Sequence, residues 1–299
     1  MAQPIDAAPG GPAGGLSSLQ KRVLSALVLI PVVLGLAYLG GFYWAGLVAA
    51  FGGTMAWEWA RICGRRRNPV DARPAARMAQ SDAAPEVLVS VASALLCILV
   101  SIFPDILPIT SVWHLLLGAV AVATAAAAPR HGWGAIWFGL GTLYVVVPCW
   151  AILWVRAGDD GLTTLIWILG IVIAADTGAY AAGRSIGGPK LAPRISPSKT
   201  WAGLGGAVIS AGIVGLCTAV WLEKPDIWPL ALVSAALAIA EQGGDLAESA
   251  LKRHFGVKDS SHIIPGHGGV LDRVDGLLAV TVIVAGLSFL KGSSVLTWQ

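Results

Sequence analysis

Charged residues and paired cysteines are both scarce in this chain. Of the 299 residues, 12% are charged and 56% are hydrophobic, and the mean hydropathy is +0.74. This composition excludes an ordinary soluble enzyme and predicts a polytopic membrane protein. The four cysteines are isolated in or beside apolar runs without CxxC spacing, so neither a disulfide framework nor a zinc site is expected.

Long apolar runs supply the predicted architecture. Residues 1–20, rich in Gly, Ala, Pro and Ser, are predicted to form a disordered tail. Residues 21–160 are predicted to form N-terminal transmembrane helices, and residues 161–299 a catalytic transmembrane region with cytoplasmic loops. A span needs about 20 apolar residues, and the runs that approach this length predict an all-α, polytopic transmembrane helical bundle of about nine spans. The runs are 23–40, 42–62, 86–103, 107–128, 134–155, 162–183, 202–222, 227–250 and 270–290.

The basic residues predict the orientation of the bundle. If the N-terminus is cytoplasmic, all of the 20 Lys and Arg residues except Arg156, Lys224 and Lys291 fall on the cytoplasmic side. This asymmetry follows the positive-inside rule and predicts an N-in/C-out protein of the cell membrane. The polar loops then lie on the cytoplasmic side, where nucleotides are available.

Glu58 and Asp176 are two of the acidic residues that fall inside predicted spans, where ionisable groups are costly and often functional. Glu58 lies about one turn from Arg61, which favours a structural ion pair. Asp176 is followed by the small residues Gly178 and Ala179, which allow helices to approach closely. Asp176 is therefore a candidate functional residue.

A basic loop follows the sixth apolar run. Ser196, Lys199 and Thr200 precede the next predicted helix, and they offer hydroxyls and a cation beside free backbone amides. Such a loop suits oligophosphate binding, although its spacing is not that of a Walker A motif. A basic loop that only fixes the topology is the alternative interpretation.

The most polar part of the chain is residues 241–276. Glu241, Asp245, Glu248 and Lys252 are spaced by four, three and four residues, so on a helix they share one face. A basic, glycine-rich loop follows, and further acids open the next apolar run. Two carboxylate-bearing helix ends joined by such a loop predict a site that holds hard metal ions against phosphates.

Within this part, residues 249–275 read SALKRHFGVKDSSHIIPGHGGVLDRVD. They resemble the signature of the phosphatidate cytidylyltransferase (CDP-diacylglycerol synthase) family, S-x-x-K-R-x4-K-D-x5-P-G-H-G-G-x-x-D-R-x-D. The resemblance covers about residues 170–290. Ala202 departs from the family pattern and is assigned no role. The matching residues are Ser249, Lys252, Arg253, Lys258, Asp259, Pro265, Gly266, His267, Gly268, Gly269, Asp272, Arg273 and Asp275.

The resemblance implies a reaction in which CTP and phosphatidic acid give CDP-diacylglycerol and pyrophosphate. It implies a Mg²⁺ site at Asp245, Asp272 and Asp275, with a second cation, K⁺ or Mg²⁺. Relatives also suggest a homodimer, and no nucleic acid is expected as a partner.

The remaining site residues are expected to contact the substrates. Gly268 and Gly269 would let the backbone approach phosphates, and His267 would donate to a phosphate or shape the turn. The predicted catalytic residues are Asp245, Lys252, Arg253, Lys258, Asp259, His267, Asp272, Arg273 and Asp275. The predicted substrate-binding residues are Asp176, Ser196, Lys199, Thr200, Glu248, Ser249, Gly268 and Gly269.

Two other functions are compatible with parts of the pattern. A CTP-dependent polyprenol or lipid kinase would release CDP instead of pyrophosphate. An ion-coupled transporter would use the membrane acids Asp176, Glu241 and Asp245, but the chain shows no internal repeat.

Overall fold

The computed structural model describes residues 18–64, 85–100, 109–264 and 268–298, and most of them are helical. The predicted disordered tail falls outside these ranges except for residues 18–20, which begin the first helix. Two short 3₁₀ turns, Gly132–Ala135 and Val295–Thr297, also occur in the described ranges. The α-helices there are α1 (Ser18–Leu39), α2 (Gly41–Gly64), α3 (Pro85–Val100), α4 (Ile109–His131), α5 (Ile136–Ala157), α6 (Gly161–Ser185), α7 (Trp201–Trp221), α8 (Trp228–His254) and α9 (Leu271–Lys291).

Each predicted apolar run coincides with one of these helices. Five helical stretches of the described residues are long and apolar enough to cross a membrane. One is residues 113–157, which includes most of α4 and all of α5, and the others are α6, α7, α8 and α9. The helical membrane-protein class predicted from the sequence is thereby confirmed.

A small β-hairpin between α6 and α7 departs from the all-α prediction. Strand β1 (Lys190–Ala192) pairs antiparallel with β2 (Ser196–Thr200). Prolines at 189, 193 and 197 disfavour a helix here, because proline lacks a backbone N–H and clashes with the preceding turn. The hairpin ends where the buried Thr200 side chain accepts a hydrogen bond from the Gly203 N–H at 3.0 Å and caps α7.

The buried apolar side chains form two clusters, one among the N-terminal helices and one among α6–α9. Phe255, Val270 and Leu271, which flank the segment between α8 and α9, belong to the first cluster. Core packing therefore crosses the predicted boundary near residue 160. The beginning of α9 is held by both halves of the chain.

Helices α6 and α7 approach each other through glycines. A Cβ added at Gly178 would overlap the Ser210 hydroxyl and the Gly206 carbonyl, and one added at Gly206 would overlap the Gly178 carbonyl and Ala182. Small residues at such positions let membrane helices pack backbone to backbone. This contact fixes Asp176 of α6 relative to the hairpin that precedes α7.

Gly206→Ala is expected to destabilise the protein by about 1–3 kcal/mol, because the added methyl would overpack the α6–α7 contact. Thermal unfolding of the detergent-solubilised protein measures the effect. Gly205→Ala on the same helix is the control, since its methyl would meet no described atom within 4 Å. The control should be neutral or up to about 1 kcal/mol stabilising, given the higher helix propensity of alanine. Equal melting temperatures for the two variants would contradict the packing assignment.

Candidate active site

Polar residues of four elements meet along the second half of helix α8. The predicted helical face of α8 is confirmed, because Glu241, Asp245, Glu248 and Lys252 all lie on that helix and make polar contacts from it. Opposite them stand side chains of α6, β2 and the first turns of α9. The site is therefore built from segments far apart in the sequence.

The β-hairpin delivers Lys199 to α8. The Lys199 Nζ lies 2.7 Å from Asp245 Oδ2 and donates to Gln242 Oε1 at 2.6 Å. Gln242 in turn donates to Glu241 Oε2 at 2.8 Å, and the Ser249 hydroxyl donates to Asp245 Oδ1 at 3.3 Å. Lys199 thus neutralises part of an acidic row and ties the hairpin to the helix.

Lys252 joins α8 to α9. Its Nζ lies 2.9 Å from Glu248 Oε2 and 2.7 Å from Asp272 Oδ1. Asp272 also accepts the Gly269 N–H at 3.0 Å and the Ser260 N–H at 2.9 Å. All three charged side chains are largely buried, so their attraction is weakly screened and losing one partner would leave an uncompensated charge.

Further carboxyl groups crowd around these two lysines. Asp275 lies one turn beyond Asp272 and beside Glu248, and it is close enough to Asp245 for the two carboxylates to repel each other. Asp176 lies beside Glu241 and within electrostatic range of Asp245. Among these described side chains the acids outnumber the lysines, so a cation bound there would relieve the repulsion between neighbouring carboxyl groups.

The donor set consists of oxygens, which suits a hard cation such as Mg²⁺. The Glu248 Oε1 atom is buried and accepts no N–H or O–H hydrogen bond from the described residues, and the Asp275 carboxyl group lies beside this side chain. Within the described ranges, however, no three acidic, His or Cys side chains are gathered tightly enough to form a metal site.

The predicted ligands are instead distributed along the cluster. Asp245 is paired with Lys199, and Asp272 is paired with Lys252. Asp275 has neither lysine as an ion-pair partner. For all three carboxylates to bind one cation, their side chains would have to rotate. Asp272 Oδ1 would also have to give up its contact with Lys252.

The other predicted cations lie nearer the surface. The exposed Arg253 donates to the Val257 carbonyl at 3.1 Å, and Lys258 and Asp259 are exposed on the loop after α8. Arg273 is exposed on α9 and lies within electrostatic range of Asp176. These side chains border the carboxylate cluster and remain reachable from solution.

The loop glycines serve the fold as well as any ligand. Gly268 has a left-handed φ of 91°, and its N–H donates to the Ile264 carbonyl at 3.2 Å. A Cβ at Gly269 would overlap Ser260 and Glu58. Space for a side chain at Gly269 is therefore taken by protein atoms, and the expected approach of its backbone to phosphate stays a prediction. His267 lies outside the described residues.

The sequence analysis assigned no role in the site to two residues that help to build it. Gln242 bridges Lys199 and Glu241, and Glu58 accepts hydrogen bonds from the segment that opens α9. Glu58 was assigned to its neighbour Arg61, whereas its carboxylate reaches residues more than 200 positions away. Its position inside an apolar run was the available indication, but the run itself does not identify distant partners.

Comparison with known proteins agrees with the chemistry of this cluster. Residues 20–290 match the cytidylyltransferase family. A phosphatidate cytidylyltransferase of Pseudomonas aeruginosa is 37% identical over 283 residues, which cover 92% of this chain and 98% of the relative. One of Brucella suis is 34% identical over 271 residues, covering 90% of this chain and 93% of the relative. The chain therefore belongs to the cytidylyltransferase family.

Proposed function

We propose that the protein is a membrane-embedded phosphatidate cytidylyltransferase, which converts CTP and phosphatidic acid into CDP-diacylglycerol and pyrophosphate for phospholipid synthesis. The names of its relatives and the family match over most of the chain support this activity. The observation that carries the proposal is the pairing of Lys199 with Asp245 and of Lys252 with Asp272. These two pairs bring carboxylates that can bind a cation and lysines that can bind phosphates to one place in a membrane protein.

The reaction joins two anions. An oxygen of the phosphatidate phosphate forms a bond to the α-phosphorus of CTP, and the bond between the α-phosphorus and the bridging oxygen breaks as pyrophosphate leaves. The phosphate monoester is already ionised near pH 7, so the step needs no general base. Its main requirement is cationic neutralisation of the phosphates as they approach each other.

Residues at the rim of the site supply part of this neutralisation. Arg253, Lys258 and Arg273 are exposed beside the carboxylate cluster and bind the phosphates of CTP or of the lipid. Ser196 and Lys199 on β2 are assigned to binding of the nucleotide. Thr200 is also assigned to CTP, although its side chain caps α7.

Asp245, Asp272 and Asp275 are proposed to hold Mg²⁺, and a second cation, K⁺ or Mg²⁺, completes the site. Bound there, Mg²⁺ would neutralise oligophosphate oxygens and polarise the phosphorus that is attacked. The all-oxygen donor set supports this assignment. Lys252 and Lys199 hold the carboxylates in position until the substrates bind.

The enzyme is proposed to cross the cell membrane nine times, with its N-terminus and active site on the cytoplasmic side. Each of the helices in the described ranges matches a predicted span, and the distribution of basic residues favours this orientation. CTP then reaches the site from the cytoplasm while the lipid substrate arrives within the bilayer. Pairing of two copies into a homodimer is part of the same proposal.

Asp272→Asn is expected to lower CMP transfer from CTP to phosphatidate by at least about 100-fold, since it removes a negative charge that would hold the cation needed to neutralise the reacting phosphates. Released pyrophosphate and labelled CDP-diacylglycerol are measured in detergent micelles with and without Mg²⁺. Asp159→Asn, on the exposed turn between α5 and α6, should keep full activity. Wild-type release of CDP instead of pyrophosphate would identify a lipid kinase, and full activity of Asp272→Asn would remove this residue from the site.

The proposed orientation predicts opposite labelling of two exposed loops. In a Cys217→Ser background, which removes the exposed native cysteine of the described residues, Arg194→Cys should react with an impermeant maleimide only in inside-out vesicles. Asp159→Cys should react only in right-side-out vesicles. Labelling of both positions from the same side would refute the assignment of these loops to opposite faces.

A further inference from the structure

Glu58 has a fully buried carboxylate, and the reaction described above gives it no role. It lies in α2, and its exposed fraction is 0%. A charged group inside a membrane bundle is strongly unfavourable unless hydrogen bonds replace its lost water. The partners of this carboxylate therefore indicate what it is for.

Four donors surround the two oxygens of Glu58. Oε1 accepts the Val270 N–H at 2.9 Å and the Ser261 hydroxyl. Oε2 accepts the Leu271 N–H at 2.7 Å and the Ser260 hydroxyl at 3.2 Å. Every one of these donors belongs to the loop after α8 or to the beginning of α9.

The first amides of a helix lack partners within the helix and carry its positive end. Val270 is the N-cap residue of α9, and its side chain makes no capping hydrogen bond. Glu58 takes the Val270 and Leu271 amides, while Asp272 takes the Gly269 amide at 3.0 Å. The two carboxylates thus divide the amides at the start of α9 between them.

Ser260 connects these two carboxylates. Its N–H donates to Asp272 Oδ2 at 2.9 Å, and its hydroxyl donates to Glu58 Oε2. Gly269 packs against both Ser260 and Glu58 so closely that a Cβ would not fit. A movement of Glu58 is therefore transmitted to the backbone atoms that hold Asp272.

We propose that Glu58 is a positioning residue for nucleotidyl transfer. By binding the amides of residues 270 and 271, it leaves the Asp272 carboxylate facing Lys252 and the acidic cluster. Without it, those amides compete for Asp272 and draw it away from the place where it serves a cation. This inference rests on the proposed function, because the cation role of Asp272 belongs to that function.

Glu58→Gln tests the inference, because the glutamine NH₂ group would replace one accepting oxygen with a donor that faces a backbone N–H. Glu86→Gln is the matched control. Glu86 is another buried helical carboxylate, paired with Arg130 at 2.9 Å and with His131 at 3.2 Å, away from the described contacts of α9. Both variants lose one buried charge, but only Glu58→Gln disturbs the start of α9.

The first readout does not depend on enzymatic activity. Limited trypsin digestion in detergent should cleave after the exposed Lys258 faster in Glu58→Gln than in wild type or Glu86→Gln. The second readout is the Mg²⁺ concentration that gives half-maximal activity. It should rise about tenfold or more in Glu58→Gln, as on removal of an outer partner of a metal ligand, and stay unchanged in Glu86→Gln.

If Glu58→Gln does not fold, Ser260→Ala replaces it, since this variant removes one donor to Glu58 and keeps the Ser260 N–H bond to Asp272. It should shift both readouts in the same direction by a smaller factor. Cleavage rates and Mg²⁺ requirements equal to those of Glu86→Gln would overturn the inference. An inactive wild type with faster cleavage of Glu58→Gln would refute the proposed function while preserving the contact between Glu58 and α9.

Discussion

The bridge that Lys252 forms between Glu248 and Asp272 is the constraint on which the site depends. Its two N–O distances, 2.9 and 2.7 Å, join the end of α8 to the beginning of α9 among largely buried groups. Separating the partners would leave an unpaired charge in a poorly solvating interior. The end of α8 and the beginning of α9 are therefore held in a fixed relative position. The remaining acids then follow from helical spacing, with Asp245 one turn before Glu248 and Asp275 one turn after Asp272.

The helices and the acidic face of α8 could be predicted because each depends on local periodicity and on bilayer thickness. A membrane requires apolar runs of similar length, and all of them reappear as helices. The spacing of Glu241, Asp245 and Glu248 likewise determines their common face whatever the tertiary fold. The closing signature identified the cytidylyltransferase family, which the comparison with relatives confirmed.

The parts that were not predicted depend on contacts between distant segments. The β-hairpin that carries Lys199 contains Pro193 and Pro197, which disfavour a helix but do not specify strand pairing. Nothing near Lys199 in the sequence indicates that Asp245 and Gln242 receive it. Gly269 resembles a phosphate-binding glycine by sequence, yet its missing side chain accommodates Ser260 and Glu58.

The link between Glu58 and α9 also has a consequence for biogenesis. Glu58 leaves the ribosome 212 residues ahead of Val270, its amide partner. At about 5–20 residues per second, that interval lasts about 10–40 s. During this time α2 carries a carboxylate whose final donors have not been synthesised, so water, lipid headgroups or the insertion machinery must solvate it. The contacts of Glu58 can therefore form only after α9 has been made, and truncation before α9 would leave this acid without its described partners.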